Sequence, residues 1–481
     1  MAPVERLPAE ILLAVFALSR DAHDAERPAY DDPSLFVHFR RRVNPVVALS
    51  HVCRTWRSLV LSTPALWTTL YLDGEVDGDR AEAKAMWWTT RANRAVQYAE
   101  ETGEDGPRHR PEETRKSGVV ALVLTRIQDW TPDDLAGLCD ALELLHLGSL
   151  ERVRLSWLGG GLSTDENRQL QSTFRLLVPS ARTLRSLILH SASHLRIGFS
   201  LPRFGHTFSA LQELEIRSCK LSLPAPDAYL VPSFLPRYGG EGDWKPLVSL
   251  RRLVLIGPVW RLRYQDGTIA SPVVSSADLP ALDYAHLGST APPVFWNLLS
   301  HMTGTLRHLI LEDHFDHPHQ PDPDLLLCIA NLRTLSLTRS APLVTRILEG
   351  AARLGPTMRF PHLATLDLTG AQLRQEHLDL FAGPRAPALR TVDLTDTTVA
   401  GSPLSPTPLP LRLALPPMPA VEWLDLLRVE WTEPADVVKL LETSQLPAVR
   451  RLATDAPVGE LDAWKLRDRG IAIVDEDGKV R

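Results

Sequence analysis

Cysteine is scarce. Cys53, Cys139, Cys219 and Cys328 are the only four in 481 residues, and no two stand at Cys-x-x-Cys spacing. That excludes the ligand spacing of a zinc finger or ribbon and a disulfide framework, and it is the usage of a reducing compartment. Long apolar runs are missing as well. None approaches the roughly 20 residues of a membrane span, and Glu5, Pro8 and Glu10 break up any apolar stretch that could serve as a signal peptide. Nor is charge of one sign in large excess. A formal net charge of −6 gives no field to attract nucleic acid or an anionic membrane. The cytoplasm or nucleus is the expected location.

Catalytic signatures are equally hard to find. Gly159-Gly160-Gly161 lacks the following Lys and Ser or Thr of a phosphate-binding loop. The chain has no Gly-x-Ser-x-Gly elbow and no His-Glu-x-x-His helix. The run from Glu312 to His319 is rich in metal-type side chains, but it is proline-flanked and comes after an expected strand, where polar loops are ordinary. No enzyme activity, metal or cofactor is expected.

What the chain has instead is proline: 39 of them, with 27 glycines. So many prolines cannot lie inside helices or central strands, so the chain must consist of many short elements. Pro8 to Ser19 predicts a helix, with Ile11, Leu12, Val15 and Phe16 as one stripe at helical spacing. Residues 20–43 interrupt it with acids and with Pro28 and Pro33. Asn44-Pro45 then restarts a single helix whose apolar face holds Leu49, Val52, Cys53, Trp56, Leu59 and Val60. On that face Cys53 is expected to be buried and inert. Thr63-Pro64 opens a turn with Leu66 and Trp67, and Leu70-Tyr71-Leu72 reads as extended. A helix over Ala81–Glu100 carries Trp87 and Trp88, which either pack it against the first repeat or extend a partner surface. Residues 101–118 form a polar loop.

From Val119 onward one pattern recurs, apolar at positions 1, 4 and 6. Its copies include Val119-Leu122-Leu124, Leu150-Val153-Leu155, Leu184-Leu187-Leu189, Leu250-Leu253-Leu255 and Leu332-Leu335-Leu337, with a weak Leu279-Leu282-Tyr284 and a fading Val449-Leu452-Thr454. Twelve copies start at intervals of 26 to 39 residues. A short strand and a return segment at this period cannot bury its apolar edge alone, so the units must stack as a leucine-rich solenoid. The Asn or Cys that closes regular leucine-rich turns occurs once, as Cys219, which predicts irregular arcs. The expected architecture is α/β. A small all-helical module spans 1–72 with an insertion at 20–43, a linker helix and polar loop occupy 73–118, and a solenoid covers 119–481. Its parallel sheet lines the concave side and its helices the convex side. Between strands, Pro434–Thr443 is among the segments expected to be helical or irregular.

Strand alternation puts the third and fifth residue of each unit on the concave, solvent side. Arg152, Arg154, Glu213, Glu215, Arg252 and Asp283 are then expected there. Asp367, Asp393 and Asp425 align in three successive units beside Trp423. Such a column with an aromatic anchor predicts docking of a basic segment of a protein target.

Leu7-Pro8, Glu10-Ile11-Leu12, Val15-Phe16, Leu49-Ser50, Val52-Cys53, Trp56-Arg57, Leu59, Pro64 and Leu66-Trp67 resemble the F-box, or F-box-like, motif, departing from it by the insertion at 20–43. With the repeats behind it, the chain resembles a fungal-type F-box/leucine-rich-repeat protein. The resemblance implies a substrate receptor of a Skp–cullin–F-box ubiquitin ligase, docking through the F-box on a Skp-type adaptor and through it on a cullin. It implies an adaptor interface, or its immediate support, at Leu7, Pro8, Ile11, Leu12, Val52, Cys53, Trp56, Leu59 and Trp67, with Trp56 and Trp67 as the leading anchors. The other reading of the same residues is a non-catalytic repeat scaffold outside the ubiquitin system, with the helical module as its cap.

Overall fold

Pro8 at the head of the first helix has no N–H to leave unsatisfied, and its carbonyl accepts from Ile11 and Leu12. Helix α1 (Ala9–Ala25) runs past the expected end at Ser19, because Asp21 to Ala25 hold no proline or glycine to stop it. The single helix expected from Pro45 is two, α2 (Pro45–Ser50) and α3 (Arg54–Ser62). The break lies at Cys53, which is extended and caps α3, its Sγ accepting from the Trp56 N–H at 3.4 Å. Cys53 is therefore a half-buried cap and not a core residue. The computed structural model describes residues 7–25, 45–77, 80–101, 118–144, 150–157, 177, 180–191, 208–218, 247–256, 262–263, 269–270, 279–288, 305–312, 329–338, 341–354, 358–399, 415–429, 446–455 and 460–475.

After a 3-10 turn (Pro64–Trp67) comes β1 (Thr69–Asp73), separated from the turn by Thr68 alone. Strand β1 pairs in parallel with β2 (Ala121–Thr125), Leu70 opposite Leu122 and Leu72 opposite Leu124. Trp67-x-x-Leu70-x-Leu72 is thus the repeat pattern with tryptophan in first position. The sheet begins inside the segment assigned to the helical module. Helix α4 (Ala81–Glu101), the expected linker helix, packs through Trp88, which is buried and donates from Nε1 to the Trp67 carbonyl at 2.9 Å. The sheet continues through β3 (Arg152–Trp157), β4 (Ser186–Ser191) and β5 (Glu213–Ser218), each parallel to the last, while α5 (Pro132–Leu144) packs against α4. These elements form the first of two compact units; the described residues from Leu247 onward form the second.

In the second unit nine strands pair side by side in parallel: β6 (Arg252–Ile256), β7 (Tyr284–Gly288), β8 (His308–Glu312), β9 (Thr334–Thr338), β10 (Thr365–Asp367), β11 (Thr391–Asp393), β12 (Trp423–Leu426), β13 (Arg451–Thr454) and β14 (Ala472–Val474). Helices α6 (Ala341–Arg353), α7 (Gln375–Asp379) and α8 (Glu460–Asp468) lie between strands in the chain. Residues at positions 4 and 6 of the pattern line the core, Leu253, Leu309, Leu335, Leu366, Val392, Leu424 and Leu452 all being buried. One unit is offset from the sequence reading. Tyr284 pairs with Arg252, so the true copy is Leu282-Ala285-Leu287, and Asp283 stands before the strand. Alanine at position 4 is too small to register in a search for large apolar residues. The segment 434–443 expected to be helical or irregular, Gly159-Gly160-Gly161, and all of the metal-type run beyond Glu312 lie outside the described residues.

The backbone of most repeats is tied by one device. The carbonyl of the position-2 residue accepts two N–H groups from the next strand, as Arg307 does from Arg333 at 2.7 Å and Thr334 at 3.1 Å. Arg251, Asp283, Arg333, Ala364, Arg390 and Glu422 repeat it in the second unit, and Thr68, Val120, Glu151 and Arg185 in the first.

Candidate functional site

Helix α1 has two apolar faces. Leu12 and Phe16 point inward, the Phe16 ring centroid 4.8 Å from that of half-buried Trp56. Ile11, Val15 and Leu18, at i, i+4 and i+7, are 49%, 48% and 68% exposed, and Leu7 and Val52 are exposed too. A stripe of three large aliphatics on one helical face, with none of the described residues over it, is a surface built to be covered. Its helix is anchored from behind by Arg20, which donates to the Ala65 carbonyl, while Arg57 Nε of α3 donates to the Ser50 carbonyl of α2 at 3.1 Å.

A family model described as F-box-like matches residues 4–73. The N-terminal module is an F-box-like domain. No curated protein matches the chain. Within the F-box-like domain, the residues named from sequence divide by position. Leu7, Pro8, Ile11 and Val52 are exposed, Cys53, Trp56 and Leu59 are half-buried, and Leu12 and Trp67 are buried. Trp67, ranked among the leading anchors, is wholly enclosed. Its indole donates to the Val60 carbonyl at 2.9 Å and meets the Trp88 ring edge-on at 4.7 Å between centroids. Its position is that of a support between the domain and β1, because a tryptophan at repeat position 1 falls in the sheet's core. Val15 and Leu18, which the expected adaptor interface did not include, lie on the exposed stripe of α1. Their signal was present in the i, i+4, i+7 spacing from Ile11, masked by a second stripe one residue along.

On the second unit's sheet, Asp367, Asp393 and Asp425 stand in one register, and Trp423 lies in register with Thr391 and Thr365. Each aspartate also has an internal task. Asp367 accepts from the Thr369 N–H at 3.0 Å, from the Thr369 hydroxyl at 2.7 Å and from the Ser336 hydroxyl at 2.7 Å. Asp393 accepts from the Thr395 N–H at 2.9 Å, and Asp425 from the Thr395 hydroxyl at 3.2 Å. Each aspartate thus holds the turn that directly follows its own strand. Burial, and then repulsion from Asp393, push the Asp425 carboxyl above the ordinary carboxylate range. The Arg451 guanidinium lies 4.0 Å over the Trp423 ring, where a target's cation was expected.

The first unit holds a second polar group on its sheet. Glu215, expected in solvent, is buried, with His190 Nε2 at 2.8 Å and Arg217 Nε at 2.9 Å. Arg154 approaches the other imidazole nitrogen at 3.5 Å. Arginine can only donate, so Nδ1 accepts and Nε2–H donates to Glu215, which is the neutral imidazole. Burial above all lowers the His190 pKa from 6.5 to about 4. Because the folded value is the lower one, the unfolded chain takes up the proton first. The stability of the neutral imidazole is whole above about pH 6.5 and is lost as pH falls toward 4, about 3 kcal/mol in all. Urea unfolding of wild type against His190→Gln, compared at pH 7 and pH 4.5, should show the wild type losing the additional stability and the variant not.

Proposed function

We propose that this chain is the substrate-recognition adaptor of a Skp–cullin–F-box ubiquitin ligase. Its F-box-like domain docks on a Skp-type adaptor, and its leucine-rich repeats hold the protein to be modified. The observation that carries this reading is the uncovered Ile11–Val15–Leu18 stripe, flanked by Leu7 and Val52, on a domain that matches the F-box-like family model. The chain itself makes and breaks no bond. It raises the effective concentration of a target's lysines near a ubiquitin-loaded enzyme that the complex recruits.

Target contact falls to the exposed face of the repeat sheet, with Asp367, Asp393, Trp423 and Asp425 at its centre. Trp423 is 41% exposed there, an aromatic edge set among polar groups. The integration of Trp67 and β1 into the sheet is what a plain N-terminal cap of a scaffold would also show. A cap, however, has no use for an uncovered aliphatic stripe on α1. Co-expression of the full chain with a Skp-type adaptor and a cullin tests the reading. A stable complex by size exclusion is expected, and a chain that elutes alone from an active adaptor preparation refutes it.

A further inference from the structure

Along the N-terminal edge of the second unit's sheet, position 2 of the pattern is occupied by Arg251, Arg307, Arg333, Arg390 and Arg450, five of eight consecutive strands. The doubly accepting carbonyls described above fix Arg251, Arg307, Arg333 and Arg390 at the same height, and the pairing of Arg451 with Trp423 and Ala472 sets Arg450, whose carbonyl accepts from the Ala472 N–H alone, in the same row. Arg251, Arg333, Arg390 and Arg450 are exposed. Two of the five have weak partners, Arg390 with Glu422 at 3.7 Å and Arg307 with the Asn331 carbonyl at 3.3 Å. Arg251, Arg333 and Arg450 form no ion pair among the described residues. Acids in the row are limited to Asp283 and Glu422.

We infer that this arginine row is a docking rim for an extended acidic segment of a target polypeptide. The inference rests on the reading of the repeats as the target-holding half. Four observations choose this occupant. The cations are guanidinium groups, which grip carboxylates with two parallel hydrogen bonds. Among the described residues the charge is uncompensated at Arg251, Arg333 and Arg450, whereas the neighbouring aspartates already accept from their own turns. From Arg251 to Arg450 the row crosses seven strand spacings, about 34 Å, the reach of roughly ten extended residues. A continuous phosphate chain fits less well, since Asp283, Glu422 and the parallel aspartate column would repel it along its length.

The test uses the full-length chain and a fluorescein-labelled peptide of twelve glutamates, read by anisotropy at low and physiological salt. Binding that weakens with salt is expected, with at least a tenfold loss of affinity in the variant carrying Arg251→Gln, Arg333→Gln and Arg450→Gln. These side chains are exposed, so circular dichroism and thermal unfolding should be unchanged. The single variant Arg333→Glu gives a second reading, a several-fold loss. No binding to the wild type, or equal binding by wild type and the triple variant, overturns the inference. So does tighter binding of a twelve-lysine peptide, or of a twelve-nucleotide single strand that depends on the same arginines. Adaptor capture measured on the same samples separates the two readings. Lost peptide binding with capture intact sinks only the rim, whereas failure of the wild type to capture adaptor sinks the ligase reading.

Discussion

Trp67→Ala should destabilise the first unit by about 3–5 kcal/mol, the usual cost of emptying a fully enclosed aromatic site. The side chain is 0% exposed and touches three kinds of neighbour: the Trp88 ring edge, the Trp87 ring at 5.3 Å, and the Val60 carbonyl through its indole N–H. Deletion leaves a cavity and an acceptor without its donor, and both effects carry the same sign. A fall of order 10 °C in the thermal midpoint is the expected reading. Trp67→Phe should recover part of it, since the ring contacts survive and the hydrogen bond does not. If alanine is tolerated with less than about 1 kcal/mol lost, Trp67 does not occupy the core of the first repeat.

Ile11→Asp combined with Val15→Asp should give the opposite profile. Both side chains are half exposed in the free chain, so the folded state loses little. An adaptor closing over the stripe would instead enclose two uncompensated carboxylates, at several kcal/mol. A loss of at least a hundredfold in adaptor affinity, with an unchanged thermal midpoint, is therefore expected. Leu12→Asp serves as the contrast, because Leu12 is 5% exposed and faces Phe16's side of α1. That variant should fail in folding before binding is measured. Retained capture by the double aspartate variant would show that the partner surface lies elsewhere.

The repeats were legible because strand burial writes a fixed 1-4-6 signature, and most copies use leucine or valine. Three copies of the pattern were missed or set out of register. The first copy starts with Trp67, another places Ala285 at position 4, and β14 comes after Gly470 with Ile473 as its inward residue. The F-box-like motif was legible as residue types, but which of them face out was not. Ile11 and Leu12 are equally apolar neighbours, and the two faces of α1 are told apart only by what α2, α3 and the turn at Ala65 place beneath it. Glu215 shows the converse: strand alternation assigned it to solvent, but His190 and Arg217 from the same face close over it. The arginine row was in plain view as Leu-Arg-x-Leu in Leu332-Arg333-Thr334-Leu335 and its kin. Strand register is what turns scattered basic residues into a line.

Because a single residue, Thr68, joins the last turn of the F-box-like domain to β1, α1 through β5 move as a cantilever without a joint. A tilt imposed on α1 by whatever grips it swings the five-strand stack through the same angle, with no tether to absorb it. Inserting one more repeat between β2 and β5 would extend that arm by a single strand spacing, about 4.8 Å. Reach in such a device is quantised by repeat number, set by the length of the arm and not by the wandering of a leash.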